Sequence, residues 1–172
     1  MLVQAVSIAF VMCVCELVSA PVMVSAVGGA FALMPWFLVA CLFAVAFVYT
    51  VGFVLLWAAD SFAARLKRRD ALMPLIYAVI GCVGFGIWGY CVYPATMNSI
   101  ITRAGLATLS QGDSLMIGIN CAVVGLAAFF LGTAAMPRVM KSKGRIAVTA
   151  AAVIALAVFG GVVLAMTWSH LA

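Results

Sequence analysis

The sequence predicts an all-α integral membrane protein, a bundle of five transmembrane helices with a short interfacial helix on the outer side. Composition is the first reason: 69% of the 172 residues are hydrophobic and 8% are charged, which is more apolar surface than a soluble domain of this length can bury. Spacing is the second, because the apolar sequence falls into stretches of about 20 residues, the length of a membrane-crossing helix. The third is the concentration of Lys and Arg in two short loops between these stretches.

These stretches are predicted to form a single transmembrane domain. The first is also compatible with a signal peptide, since Val18-Ser19-Ala20 resembles a cleavage site. No Lys or Arg precedes that apolar run and Pro21 would follow the cut, so a retained helix is favoured. The predicted spans cover about residues 2–24, 36–59, 71–93, 115–136 and 146–168.

The second and third spans have recognisable ends. Pro35 suits the first turn of a helix and Trp36 suits the headgroup layer, so the second span begins there. Asp70 is placed to cap the third span. Tyr93 and Pro94 mark the opposite interface, because tyrosine is enriched at the membrane–water boundary.

The one substantial polar segment, residues 94–114, is predicted to be an outer loop. A few apolar residues on this polar background favour a short helix in the headgroup layer. Asp113 and Ser114 are placed to cap the fourth span, which Pro137 ends. The fifth span finishes at Trp168.

The two basic loops, residues 60–70 and 137–145, set the predicted orientation. Lys and Arg beside hydrophobic spans stay on the cytoplasmic side, which puts the amino terminus in the cytoplasm and the carboxyl terminus outside a plasma (inner) membrane. Of the nine Lys and Arg, Arg103 alone lies elsewhere. No aromatic residues alternate with the charges, so the expected contacts are anionic lipid headgroups and not nucleic acid. The expected headgroup contacts are Arg65, Lys67, Arg68, Arg69, Arg138, Lys141, Lys143 and Arg145.

Small residues recur at steps of three and four in the last three spans, which places them on one face of each helix. In lipid, such faces let two helices approach closely. The sequence leaves open whether these contacts lie within one chain or between subunits. The predicted packing positions are Gly81, Gly86, Gly118, Gly125, Gly132 and Gly161.

Glu16 is the only charged side chain of residues 2–33, and it lies about 10 Å from the outer end of its span. An ionisable group at this depth is costly unless it is paired, protonated or hydrated. One hypothesis makes Glu16 a proton- or cation-coupling carboxylate, or a contact to a basic ligand. The other lets it reach headgroup water or the outer loop. Glu16 could also form an outward polar pocket for a small cationic or zwitterionic ligand, together with Asn98, Arg103, Asp113 and Asn120.

Four of the six cysteines are expected at one depth near the outer surface, namely Cys15, Cys41, Cys91 and Cys121. This arrangement would suit a thiol redox site or a Cu(I) site, although free cysteine is also a small residue that packs well in apolar surroundings. No CxxC spacing occurs and His170 is the only histidine. We therefore predict no metal site and no cofactor.

Three functions remain open, and none of them comes with a catalytic residue. The sequence lacks the serine, histidine and acid set of acyl transfer and a phosphate-binding glycine loop. The first hypothesis is a non-catalytic membrane subunit that packs with partner or identical subunits in an assembly, accessory or immunity-type role. The second is a small transporter or channel for a cation or small solute, with Glu16 as the coupling carboxylate. The third is an outward-facing thiol redox or soft-metal protein.

Overall fold

The computed structural model describes residues 1–26, 33–63 and 69–170. These residues are helical apart from short connections, and they contain no strand. A π-helical segment, Val48–Gly52, joins two of the helices into one continuous rod. The α-helices are α1 (Leu2–Ala26), α2 (Leu33–Phe47), α3 (Phe53–Ala63), α4 (Arg69–Arg103), α5 (Gln111–Val139) and α6 (Lys143–His170).

Within the described ranges, five helical stretches are long and apolar enough to cross a membrane. Each is longer than the roughly 20 residues that a bilayer requires. The prediction of an all-helical chain with five membrane-length helices is thereby confirmed, and this is the pattern of a multi-pass membrane protein. The stretches are Leu2–Ser25, Leu33–Ser61, Met73–Arg103, Gln111–Val139 and Lys143–His170.

Of the five membrane-length stretches, the one formed by α1 is the most enclosed, because 56% of its most apolar 18 residues are buried. It packs against α5, where the Ser7 hydroxyl donates a hydrogen bond to the Gly132 carbonyl oxygen at 3.0 Å. A Cβ atom at Gly132 would lie 2.7 Å from the Ile8 Cα atom, so glycine is what allows these two backbones to approach. Helix α1 also contacts α2 and α6.

Glycines bring α4 and α5 equally close. A Cβ atom on Gly125 would overlap the Gly81 carbonyl oxygen, and one on Gly86 would lie 2.9 Å from a side chain of α5. A Cβ atom on Gly118 would lie 3.0 Å from the Cβ atom of Tyr90. Such close backbone contact supplies the van der Waals attraction that holds helices together in lipid.

Helix α6 lies at the edge of the described helices. It meets α2 at Gly160, where a Cβ atom would overlap the Leu38 carbonyl oxygen. At Gly161 a Cβ atom would have no described atom within 4 Å. The described chain therefore leaves space for a side chain at Gly161.

Helix α4 runs through Pro94 to Arg103 without a break. The sequence predicts an outer loop over residues 94–114 with a separate interfacial helix, and this boundary is corrected by the structure. Proline removes a backbone donor, but membrane helices tolerate it when neighbouring groups satisfy the freed carbonyl.

The side chains beyond Pro94 explain why the helix continues. Met97 and Ile101 are buried in the core of the bundle. The hydroxyls of Thr96 and Ser99 donate to carbonyl oxygens one turn earlier in the same helix, at 3.0 and 2.8 Å. The polar residues that indicated a loop are thus satisfied within a helix, and the apolar ones pack inward.

A turn over residues 104–110 connects α4 to α5. Gly105 has a φ of +72°, a conformation that favours glycine. Ser110 caps α5: its hydroxyl accepts from the Asp113 backbone N–H at 3.1 Å, and the Asp113 carboxylate accepts from the Ser110 backbone N–H at 3.1 Å. Asp113 therefore caps from inside the first turn. The side chain of Asp70, which was expected to cap α4, lies outside the described part of the chain.

Candidate functional site

Glu16 occupies the interior of the helical bundle and is 0% exposed. One carboxylate oxygen, Oε1, is hydrogen-bonded to the Tyr93 hydroxyl of α4 at 2.9 Å. The other, Oε2, accepts a longer hydrogen bond from the Ser19 hydroxyl at 3.4 Å. The Tyr93 hydroxyl also lies 3.3 Å from the Ala40 carbonyl oxygen of α2. We call these four residues the Glu16 cluster.

Aromatic side chains hold Tyr93 in place. Its ring makes edge-to-face contacts with Phe43, at a centroid distance of 5.1 Å, and with Trp36, at 5.9 Å. Phe85 makes a third such contact at 6.2 Å. Because Tyr93 is 0% exposed, its hydroxyl is directed at Glu16 by packing from α2 and α4. The described residues therefore shield Glu16 from solvent, and its described hydrogen bonds are to Tyr93 and Ser19 and not to the end of α4.

Thiols surround the Glu16 cluster. Cys15, Cys41 and Cys121 are all close enough to Glu16 to interact with it electrostatically. The Cys41 thiol contacts the thiol of Cys13 on α1. Cys91, which was expected at the same site, is exposed on the surface of α4. No group of three metal-ligating side chains occurs among the described residues.

No described basic side chain interacts with Glu16, whose described partners are Tyr93 and Ser19, and every Lys and Arg whose side chain is described is exposed. The hydrogen-bond partners of the carboxyl are two neutral hydroxyls. The protein groups described around Glu16 therefore provide no positive charge.

The other residues predicted for an outer pocket have separate surroundings. The Asn98 side-chain oxygen accepts a hydrogen bond from the Leu109 backbone N–H at 2.8 Å, which fastens the turn to α4. Arg103 is exposed at the end of α4. Asn120 is half-buried, and its amide nitrogen has no hydrogen-bond partner among the described residues. None of the three is hydrogen-bonded to Glu16.

A second acid is also reached by a tyrosine of α4. The Tyr77 hydroxyl donates a hydrogen bond to Asp60 Oδ1 near the end of α3. Sequence reasoning did not pair either tyrosine with an acid. The available signal was that Tyr77 lies within an apolar span and that acids are scarce, with four Asp and Glu in the whole chain.

The basic residues at the turn between α5 and α6, which include residues in the adjoining ends of both helices, are exposed. A groove of about 500 Å³ lies at this turn and is lined by Arg138, Val139, Arg145 and Val148, among others. Lys141 and Lys143 are exposed beside it. Of the other predicted headgroup contacts, Arg65, Lys67 and Arg68 lie outside the described residues, as does the side chain of Arg69.

Comparison with protein-family models, with curated proteins and with solved structures finds no match for this chain. Its class is that of a multi-pass helical membrane protein. Function has to be inferred from the Glu16 cluster and from the helix faces.

Proposed function

We propose that the chain is a non-catalytic membrane subunit that associates in the bilayer with a partner subunit or a second copy. The observation that supports this is the low burial of α6. Only 11% of its most apolar 18 residues are buried, against 28% to 56% for the other four membrane-length stretches. Because few residues of its own chain cover α6, most of the α6 surface is available for contact with another subunit.

The part of α6 around Gly161 has the residue pattern of a helix-packing face, with Ala157 and Gly161 partly buried and Ala165 exposed. Ala157, Gly161 and Ala165 follow at steps of four, and a Cβ atom at Gly161 would have no described atom within 4 Å. Small residues at this spacing allow the close backbone approach that drives association in lipid. An assembly, accessory or immunity-type role belongs to this class, because each needs a contact surface inside the membrane.

Native mass spectrometry of the gently solubilised protein tests the proposal. We expect either co-purifying subunits or a homo-oligomer, and we expect Gly161→Leu to reduce the complex to a single chain. Ala155→Leu is the matched control, because Ala155 is exposed on α6 outside the small-residue face. A wild-type protein that is monomeric both in detergent and after cross-linking in its native membrane would contradict the proposal.

A second candidate, a transporter or channel for a cation or small solute, is favoured by one observation. Glu16 is an acid without a described basic partner in the interior of a membrane protein, and such residues commonly mark ion pathways. Under this proposal Glu16→Gln abolishes transport while expression and helix content persist. Unchanged transport by this variant would exclude Glu16 as the coupling group.

A further inference from the structure

We infer that Glu16 is a proton-binding site: its carboxyl is the neutral acid in the folded protein, and the bound proton completes a chain of hydrogen bonds from Glu16 through Tyr93 to the Ala40 carbonyl oxygen. This inference does not rest on the proposed assembly through α6. It concerns only the ion that Glu16 binds, which is a proton.

The first argument is a count of hydrogens at the Tyr93 hydroxyl. Its oxygen is 2.9 Å from Glu16 Oε1 and 3.3 Å from the Ala40 carbonyl oxygen. A hydroxyl has one hydrogen to donate, and a carbonyl oxygen has none. If Glu16 is ionised, one hydrogen has to serve both contacts. If Glu16 carries a proton, it donates to the Tyr93 oxygen, and Tyr93 donates to Ala40, so each contact has its own hydrogen.

The second argument is that no described group beside Glu16 carries a positive charge. An ionised carboxylate in an apolar interior is very costly unless it is paired with a positive charge. The titratable groups that face Glu16 are Cys15 on α1, Cys41 on α2, Tyr93 on α4 and Cys121 on α5. Thiols and phenols are neutral or negative, so none of them supplies that charge. Helix α6 has no titratable residue between Arg145 and His170.

The third argument concerns the space between the oxygens. A separation of 2.9 Å is that of a direct hydrogen bond between two oxygen atoms. A hydrogen therefore lies between Glu16 Oε1 and the Tyr93 oxygen. A proton is the positive charge that fits the cluster as it stands.

Labelling with the apolar reagent dicyclohexylcarbodiimide tests the inference on the full-length protein in membranes. The neutral acid transfers its proton to a carbodiimide nitrogen while the carboxylate oxygen bonds to the central carbon. The adduct then rearranges to a stable N-acylurea, and no atom leaves. We expect the mass of one reagent molecule on the peptide that contains Glu16, with a yield that falls as pH rises and does not change with Na⁺ or K⁺. Protection of Glu16 by either cation would overturn the inference in favour of a cation site.

Infrared spectroscopy provides a measurement that does not depend on reagent access. A neutral carboxylic acid has a C=O stretching band distinct from that of a carboxylate. We expect this band at neutral pH in the wild type, its loss in Glu16→Gln, and its retention in Asp60→Asn. Gln keeps a side-chain donor for Tyr93, and circular dichroism checks that the variant is folded. Identical spectra for the wild type and Glu16→Gln would overturn the inference, whatever native mass spectrometry shows about assembly.

Discussion

At the scale of single residues, the Tyr93 hydroxyl is the group on which the Glu16 cluster depends. Tyr93→Phe removes the hydroxyl and leaves the ring packing against Phe43 and Trp36 in place. Glu16 then keeps only the longer contact to Ser19. Because a buried polar group without its partner costs about 1–3 kcal/mol, we expect the free energy of unfolding in mixed micelles to fall by about that amount.

Tyr90→Phe is the control for this change, because it removes the same atom from the same helix. Tyr90 is 44% exposed, and a surface substitution of this kind is expected to alter stability by no more than about 0.5 kcal/mol. Equal unfolding free energies for the two variants would show that the hydroxyl contact with Glu16 contributes nothing. A shift of the Glu16 infrared band in Tyr93→Phe alone would show that the two side chains are bonded.

The sequence identified Glu16 as unusual but not its partner. An acid among apolar residues is visible at once, since its depth alone makes it costly. Tyr93 was predicted to lie at the membrane interface because tyrosine is enriched there. Its actual place depends on the continuation of α4 to Arg103 and on the register between α1 and α4. Both are set by tertiary packing, which short-range sequence patterns do not contain.

At the scale of helices, the contact between α4 and α5 is predicted to be the least tolerant of added volume. A Cβ atom on Gly125 would overlap the Gly81 carbonyl oxygen, and a backbone atom cannot rotate away. Gly125→Ala therefore forces the two helices apart, and overpacking of this kind typically costs about 1–3 kcal/mol. Unfolding in mixed micelles measures the loss.

Gly112→Ala is the matched change on the same helix. A Cβ atom there would meet only the Ser110 hydroxyl oxygen, at 3.6 Å, which is an ordinary contact, so we expect stability to be nearly unchanged. If Gly125→Ala were as stable as Gly112→Ala, close packing between α4 and α5 would not be a source of stability.

The spacing of small residues in the sequence identified which face of each helix packs, but not which helix lies against that face. Residues at steps of three and four share a face because of helix geometry alone, and this places Gly118 and Gly125 on the side of α5 that meets α4. The same spacing in α6 marks Gly161, where a Cβ atom would have no described atom within 4 Å. The spacing within one helix shows which of its faces packs. Which helix packs against that face depends on how all the helices are arranged.

At the scale of the whole molecule, the two basic loops predict that the chain has its termini on opposite sides of the membrane. Five crossings reverse the direction an odd number of times, so an amino terminus inside requires a carboxyl terminus outside. Eight of the nine Lys and Arg are placed inside by this arrangement, and Arg103 is the exception. Since cytoplasmic retention of Lys and Arg dominates orientation, we expect a reporter fused after Ala172 to be active only outside the cell.

The α5–α6 loop is where this orientation can be altered. Replacing Arg138, Lys141, Lys143 and Arg145 with Gln removes every positive charge between the last two spans and should produce a mixed population of reporters. The same four changes made together with four added Lys in the turn over residues 104–110 should shift that population further, because the retained charge then lies on the other side of α5. A wild-type reporter found inside the cell would mean that the number of crossings or their direction is wrong. The small-residue face of α6 would still need a partner in that case, but the end of α6 near Trp168 would lie in the opposite leaflet.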